Sequence, residues 1–235
     1  MSSILFLGLF IGMQHALEAD HVAAVSSIAT RQSTVRGIVA HGAVWGLGHT
    51  IALMLCAGAV LILGIEISAQ LSGWLEFAVG GMLVLLGGNV LYRLHRDRVH
   101  FHAHRHDDVR HFHAHSHAGE AAEHKRSPHD HTHPAKLPLR SLFVGIMHGM
   151  AGSAALLILT ATTATSIENG LLYVAIFGIG SILGMAGLST LIAVPLTYSS
   201  KYLSWANSSL QLAVGSGTFI LGSYVMYHQM TGGVL

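Results

Sequence analysis

Residues 3–29 of the chain read SILFLGLFIGMQHALEADHVAAVSSIA, an apolar stretch with a polar centre. A helix needs about 20 apolar residues to cross a bilayer, and this stretch is long enough. Its polar centre holds the ionisable side chains of His15, Glu18, Asp20 and His21. Such groups are costly within lipid. We therefore expect a membrane helix whose polar centre lines a cavity or binds an ion, rather than one that serves packing alone.

The composition of the whole chain is that of a membrane protein. Of its 235 residues, 51% are hydrophobic and 10% are charged, whereas a soluble domain carries about 25% charged residues. The sequence predicts an all-α, polytopic membrane protein with six transmembrane helices. Beside the first stretch, the predicted spans are residues 37–64, 71–93, 139–164, 170–196 and 204–228. The net charge of +1 gives no indication of a nucleic-acid partner.

The basic residues predict the orientation in the membrane. All 12 Lys and Arg residues lie in or beside the first, third and fifth connections between the predicted spans. With six spans these connections face one side, which the positive-inside rule makes cytoplasmic. We expect a protein of the cytoplasmic (inner or plasma) membrane with both termini outside. The N-terminus has no cleavage site for a signal peptide, so the first span is expected to be retained.

The two halves of the sequence resemble each other. Residues 9–15, LFIGMQH, match 142–148, LFVGIMH, and residues 78–92 match 213–227 at their Gly, Val and Tyr positions. A duplicated unit of three spans must insert its second copy upside down, as in many transporters. The predicted organisation is therefore a first repeat and a second repeat joined by a loop. These parts are residues 1–94, 139–235 and 95–138, respectively.

Helix geometry leaves two alternatives for the carboxylate at the first span. On a regular helix, Glu18 shares one face with His15 and His21, whereas Asp20 points elsewhere. If the helix is straight, Glu18 is the expected ligand. If it unwinds near residues 17–19, Asp20 can join the two histidines, and broken helices are tolerated where they line a protein cavity.

Two further histidines are candidate ligands. His49 lies deep in the second span, and His148 occupies in the second repeat the position of His15 in the first. His41 is either a residue of the ion's path or a packing histidine. Imidazole with carboxylate suits Ni, Co, Zn or Cu(II). We expect a transported ion rather than a permanent cofactor, and no enzymatic activity; without a phosphate-binding loop, any ATP drive would need a partner chain.

The loop at 95–138 is rich in histidine and has too few apolar residues for a core. We expect it to be disordered and to bind metal as an auxiliary site on the cytoplasmic side. Its candidate ligands are His100, His102, His104, His106, His111, His113, His115 and His117.

The motif His15-x4-Asp20-His21 resembles the signature of the nickel/cobalt permease superfamily, and Gly-Leu-Gly-His49-Thr and His148-Gly support the likeness. The chain is most similar to the six-span branch of urease-accessory-protein nickel permeases. The resemblance implies that His15, Asp20, His21 and His49 hold the ion. It also implies uptake of Ni²⁺ or Co²⁺ for maturation of urease or hydrogenase, with a cytoplasmic metallochaperone as a candidate partner.

Other functions fit parts of the pattern. A nickel or cobalt efflux carrier also has a His-rich cytoplasmic loop, and a zinc permease has a loop at the same place. A membrane acyltransferase could use His15 and Asp20 as a base and its orienting acid, although the motif lies deep within a span. Transport direction, the preferred ion, the coupling ion and the oligomeric state stay open at this stage.

Overall fold

The computed structural model describes residues 2–32, 34–65, 68–96, 100–106, 109–115, 139–151, 166–202 and 204–232. This part of the chain contains seven helices and one two-stranded hairpin. The helices are α1 (Ser2–His15), α2 (Ala19–Ala29), α3 (Val35–Leu63), α4 (Ala69–Arg96), α5 (Leu139–Ala151), α6 (Ile167–Tyr202) and α7 (Ser204–Met230). The strands are β1 (His100–His106) and β2 (Val109–His115).

Four of these helices are long and apolar enough to cross a membrane. They comprise α3, α4, residues Ile167–Thr197 of α6 and Asn207–Met230 of α7, with mean hydropathy between 1.2 and 2.1. They coincide with the second, third, fifth and sixth predicted spans. The predicted fourth span begins as α5, and its residues 152–164 lie outside the described part of the chain.

The predicted first span is broken in the middle. Helix α1 ends at His15 and α2 starts at Ala19. Between them, the Leu17 N–H donates to the Gln14 carbonyl at 2.9 Å, and the Glu18 N–H donates to the His15 carbonyl at 3.1 Å. Glu18 is extended, with φ −62° and ψ 149°. The first span is therefore a broken helix and not a straight one. The break changes the direction in which the Asp20 side chain points.

Close backbone contacts at glycine hold the helices together. Helix α3 packs against α5 and α6, and α1 packs against α6. A Cβ atom on Gly48 would lie 2.2 Å from the Leu142 carbonyl oxygen, and one on Gly180 would lie 2.2 Å from that of Leu9. No larger residue fits at either position. Small residues at such contacts are the usual means of close helix packing in membranes.

Helices α4 and α7 contact each other through two pairs of glycines. A Cβ on Gly80 would lie 2.9 Å from the Gly222 carbonyl oxygen, and one on Gly87 would lie 2.7 Å from that of Gly215. The two contacts are reciprocal, because Gly80 and Gly87 correspond to Gly215 and Gly222 in the alignment of the two halves. The core around the break in the first span is formed by buried Ala16, Trp45, Leu83 and Met185 with their neighbours.

Part of the His-rich loop has regular backbone structure. Strands β1 and β2 pair antiparallel, with His102 opposite His113 and His104 opposite His111. Disorder was expected over 95–138, whereas these two stretches form paired strands. Histidine alternates there with Phe, Ala and Arg at the two-residue period of a strand. Residues 107–108 and 116–138 lie outside the described part of the chain.

Candidate metal centre

Four histidines converge at the break between α1 and α2. His15 ends α1, His21 lies in the first turn of α2, His49 comes from the middle of α3 and His148 from α5. The ring centroid of His21 lies 4.5 Å from that of His15, 5.3 Å from that of His49 and 4.2 Å from that of His148. The fold therefore brings together side chains that are as far as 133 positions apart in the sequence.

Asp20 connects two of these rings. Its Oδ1 accepts a hydrogen bond from His21 Nδ1 at 2.8 Å and another from the His21 backbone N–H at 2.8 Å. Its Oδ2 accepts a hydrogen bond from His148 Nε2 at 2.8 Å. A carboxylate that accepts from imidazole fixes the orientation and the tautomer of the ring. Asp20 thus positions His21 and His148 together.

Four other ring nitrogens of the cluster are buried and have no hydrogen-bond partner among the described residues. These are His21 Nε2, His148 Nδ1 and both ring nitrogens of His49. In His21 and His148 the nitrogen that faces Asp20 must carry a proton to donate to the carboxylate, so in the neutral ring the other nitrogen presents a lone pair. A buried polar atom without a partner costs about 1–3 kcal/mol. A cation placed between these rings would satisfy the lone pairs.

The donor atoms form two overlapping groups of three. One consists of His15, His21 and His49, and the other of Asp20, His21 and His148; within each group the ligand atoms lie within 4.8 Å of one another. His21 belongs to both groups and is the centre of the site. Imidazole and carboxylate together are donors for borderline divalent metals such as Ni²⁺, Co²⁺ and Zn²⁺.

Glu18 does not lie among the histidine rings, as it would on a straight helix. Its side chain is 55% exposed and belongs to neither group of three, but its Oε1 accepts a hydrogen bond from His15 Nδ1 at 2.7 Å. Glu18 therefore orients His15 rather than facing the other rings. Asp20, whose side chain is 31% exposed, is the carboxylate within the cluster.

Trp45 also lies at the site, although the sequence pattern did not identify it as a site residue. The side chain is fully buried, and its ring centroid lies 5.5 Å from those of His21 and His148. Its indole Nε1 has no partner among the described residues. Trp45 stands one helical turn before His49, so a search of the same face of α3 would have found it.

His41 lies outside the cluster. Its Nδ1 shares a hydrogen bond of 2.6 Å with the Ser141 hydroxyl, and both residues line a separate cavity. The described histidines of the loop are not part of the cluster either. His100 to His115 lie in or between the strands of the hairpin, and His117 lies outside the described residues, so their role as auxiliary ligands stays a prediction.

Comparison with known proteins supplies a relative along nearly the whole chain. The urease accessory protein UreH from Bacillus sp. (strain TB-90) is 35% identical over 228 residues, which are 96% of this chain and 91% of the relative. No family model and no solved structure matches the chain. At this identity and coverage, the chain belongs to the UreH family of urease accessory proteins.

Proposed function

We propose that this chain is a membrane carrier for a divalent transition-metal ion, and that the cluster around Asp20 is its ion-binding site. The observation that carries the proposal is the set of buried imidazole nitrogens that have no partner among the described residues, arranged about a carboxylate that fixes two of the rings. A cluster that served packing alone would satisfy these atoms internally. An ion that passes through the site would bind to these nitrogen atoms.

Nickel is the first candidate ion and cobalt the second. The donor set fits both, and it also fits zinc. The relative's name links it to urease, and the resemblance to nickel permeases points in the same direction. We propose uptake, because an inside-negative potential of 100 mV favours inward movement of a divalent cation by about 4.6 kcal/mol. The efflux and zinc alternatives are outcomes of the experiment below.

We also propose six spans arranged as two inverted repeats of three. The reciprocal contacts of Gly80 with Gly222 and of Gly87 with Gly215 support this arrangement, since a two-fold axis exchanges such pairs. The contacts of α1 with α6 and of α3 with α5 are related in the same way. The ion site then lies where the repeats meet, as in other carriers of this design.

The geometry disfavours the acyltransferase alternative. In that reaction Asp20 would orient His15 as the general base. Instead, His15 Nδ1 is bonded to Glu18, and both carboxylate oxygens of Asp20 are engaged by His21 and His148.

The test is metal flux in proteoliposomes, measured in both directions with nickel, cobalt and zinc in competition. We expect inward nickel flux for the wild type and none for His21→Ala. Glu168→Gln removes an exposed charge at the start of α6 and should leave the flux unchanged. Normal flux in a folded His21→Ala variant would contradict the proposed site. Outward flux alone would contradict uptake. A preference for zinc over nickel would favour the zinc permease.

A further inference from the structure

A second polar region lies apart from the metal centre, at the opposite end of α2 from Asp20. There the end of α2, the turn after it, α3, α4 and the start of α5 line a half-open cavity of about 580 Å³. Its polar lining residues are Arg31, Gln32, His41, Arg140 and Ser141. All of them can donate a hydrogen bond, and the described residues of the lining include no carboxylate.

The positive charge of this region has no counter-charge in the described part of the chain. Arg31 donates to the Asn89 side-chain oxygen, and Arg93 donates to the Thr30 hydroxyl at 3.1 Å. Both acceptors are neutral. None of the three guanidiniums of Arg31, Arg93 and Arg140 forms an ion pair with a described carboxylate. Arg93 Nε is moreover buried and without a hydrogen-bond partner among these residues.

Arg31 and Arg140 line the same cavity, and the charges of Arg93 and Arg140 act on the Arg31 guanidinium. Partial burial, followed by the charges of Arg93 and Arg140, lowers the pKa of Arg31. An arginine nevertheless stays charged at any physiological pH, so the repulsion is not relieved by loss of a proton. An anion between the guanidiniums would relieve it.

We propose that this cavity binds a phosphate-type oxyanion, with Arg31 and Arg140 as its main ligands and Arg93 as a supporting charge. The planar guanidinium donates two parallel hydrogen bonds to phosphate oxygens, and Ser141 and Gln32 supply further donors. The phosphate can belong to an anionic lipid headgroup or be free in solution. Exposed Leu139 and Phe143, also part of the lining, offer an apolar surface on which acyl chains can lie.

The positive-inside rule alone would also place arginines at this end of the protein, but it does not require them to converge on one cavity. Arg36 and Arg96 therefore serve as charge-matched controls. They are exposed, as Arg31 and Arg140 are, but neither lines the cavity. A nonspecific attraction between basic residues and anionic lipid would depend on all these arginines alike.

The experiment measures binding to the purified full-length protein in detergent. Native mass spectrometry follows titration with phosphatidylglycerol or phosphatidylcholine, and calorimetry follows titration with inorganic phosphate. We expect wild type to bind phosphatidylglycerol in preference to phosphatidylcholine. The double variant Arg31→Gln/Arg140→Gln should lose roughly tenfold or more in affinity, as expected for lost hydrogen bonds to a charged group, whereas Arg36→Gln/Arg96→Gln should change it by less than about twofold.

The same titrations distinguish a lipid headgroup from free phosphate as the bound anion. Binding of phosphatidylglycerol without binding of inorganic phosphate assigns the cavity to a lipid headgroup, and binding of inorganic phosphate that the double variant loses assigns it to a free anion. Equal losses in the two double variants, or no binding of either probe to wild type, would overturn the proposal. If the Gln pair unfolds, Arg31→Lys/Arg140→Lys retains the charge and should still bind more weakly than wild type, and unchanged binding would likewise overturn it. Because the readout is binding, its outcome is independent of metal transport.

Discussion

Asp20 is the residue on which the proposed ion site depends most. Its two carboxylate oxygens hold His21 and His148 in the orientation that leaves one lone pair on each ring free. An asparagine of nearly the same size would present an amide N–H to one of the rings and would remove the negative charge. That ring would have to change its tautomer or turn away, so the loss affects two imidazoles together.

We predict that Asp20→Asn weakens nickel binding by about 100-fold or more, at the upper end of the range for residues that orient metal ligands. Calorimetry on the purified protein measures the affinity, with Glu168→Gln as a charge-matched control outside the cluster. Nickel affinity within about twofold of wild type in folded Asp20→Asn would contradict the role of Asp20.

Glu18 should matter less than Asp20. It bonds only to His15, and more than half of its side chain is exposed, so water can replace its hydrogen bond. We predict that Glu18→Gln weakens nickel binding by about tenfold or less, measured in the same titrations. If Glu18→Gln proved more harmful than Asp20→Asn, the straight-helix alternative would describe the binding state better.

At the scale of residues, the sequence predicted most of the side chains of the candidate site but not the hydrogen bonds that connect them. The spacing in the first span and the matching histidine of the second repeat indicated His15, Asp20, His21 and His148. The bridge from Asp20 to His148 could not be predicted, because it depends on where the packing of α5 against α3 and α4 places His148. Trp45 was missed because an apolar side chain in a membrane helix carries no signal of its own.

The broken first span is the element that makes the cluster. Residues 13–19, MQHALEA, contain neither Gly nor Pro, and Ala, Leu and Glu are good helix formers. Local propensity therefore predicts a continuous helix. The break brings Asp20 within hydrogen-bond distance of His148, and such a tertiary contact cannot be read from a single segment. From the sequence we could infer only that Asp20, His15 and His21 can share one ion if the helix unwinds.

Glycine contacts along α3 give a test of the packing. A Cβ on Gly48 would meet the Leu142 carbonyl at 2.2 Å, whereas one on Gly58 in the same helix would meet nothing within 4 Å. We predict that Gly48→Ala lowers the thermal unfolding temperature in detergent by several degrees, since overpacking costs about 1–3 kcal/mol. Gly58→Ala should leave that temperature unchanged or raise it slightly, because alanine favours the helix. Equal effects at the two positions would mean that α3 and α5 do not approach as described.

At the scale of the whole molecule, composition and hydropathy identified a helical membrane protein, and four of the predicted spans coincide with long apolar helices. The hairpin in the His-rich loop was not foreseen. The loop lacks the apolar residues from which a core is predicted, and the antiparallel pairing of β1 with β2 depends on backbone hydrogen bonds. The number of spans, the repeats and the orientation stay predictions.

The orientation can be tested at the two ends of α4. Ser68 precedes the helix and His95 lies in its last turn, and both are exposed. In a Cys56→Ala background, we predict that an impermeant maleimide labels Ser68→Cys in intact cells and labels His95→Cys only after permeabilisation. The positive-inside rule is the physical reason, because Arg93 and Arg96 flank His95. The reverse pattern of labelling would mean that the His-rich loop lies outside.

The most direct test of the proposed ion site is X-ray absorption on nickel-loaded protein from which residues 100–133 have been removed, so that the loop histidines cannot contribute. We predict stoichiometric nickel with imidazole nitrogens as ligands, and loss of that signal in the His21→Ala variant of the same protein. Absence of bound nickel, or a nickel signal that persists unchanged without His21, would contradict it.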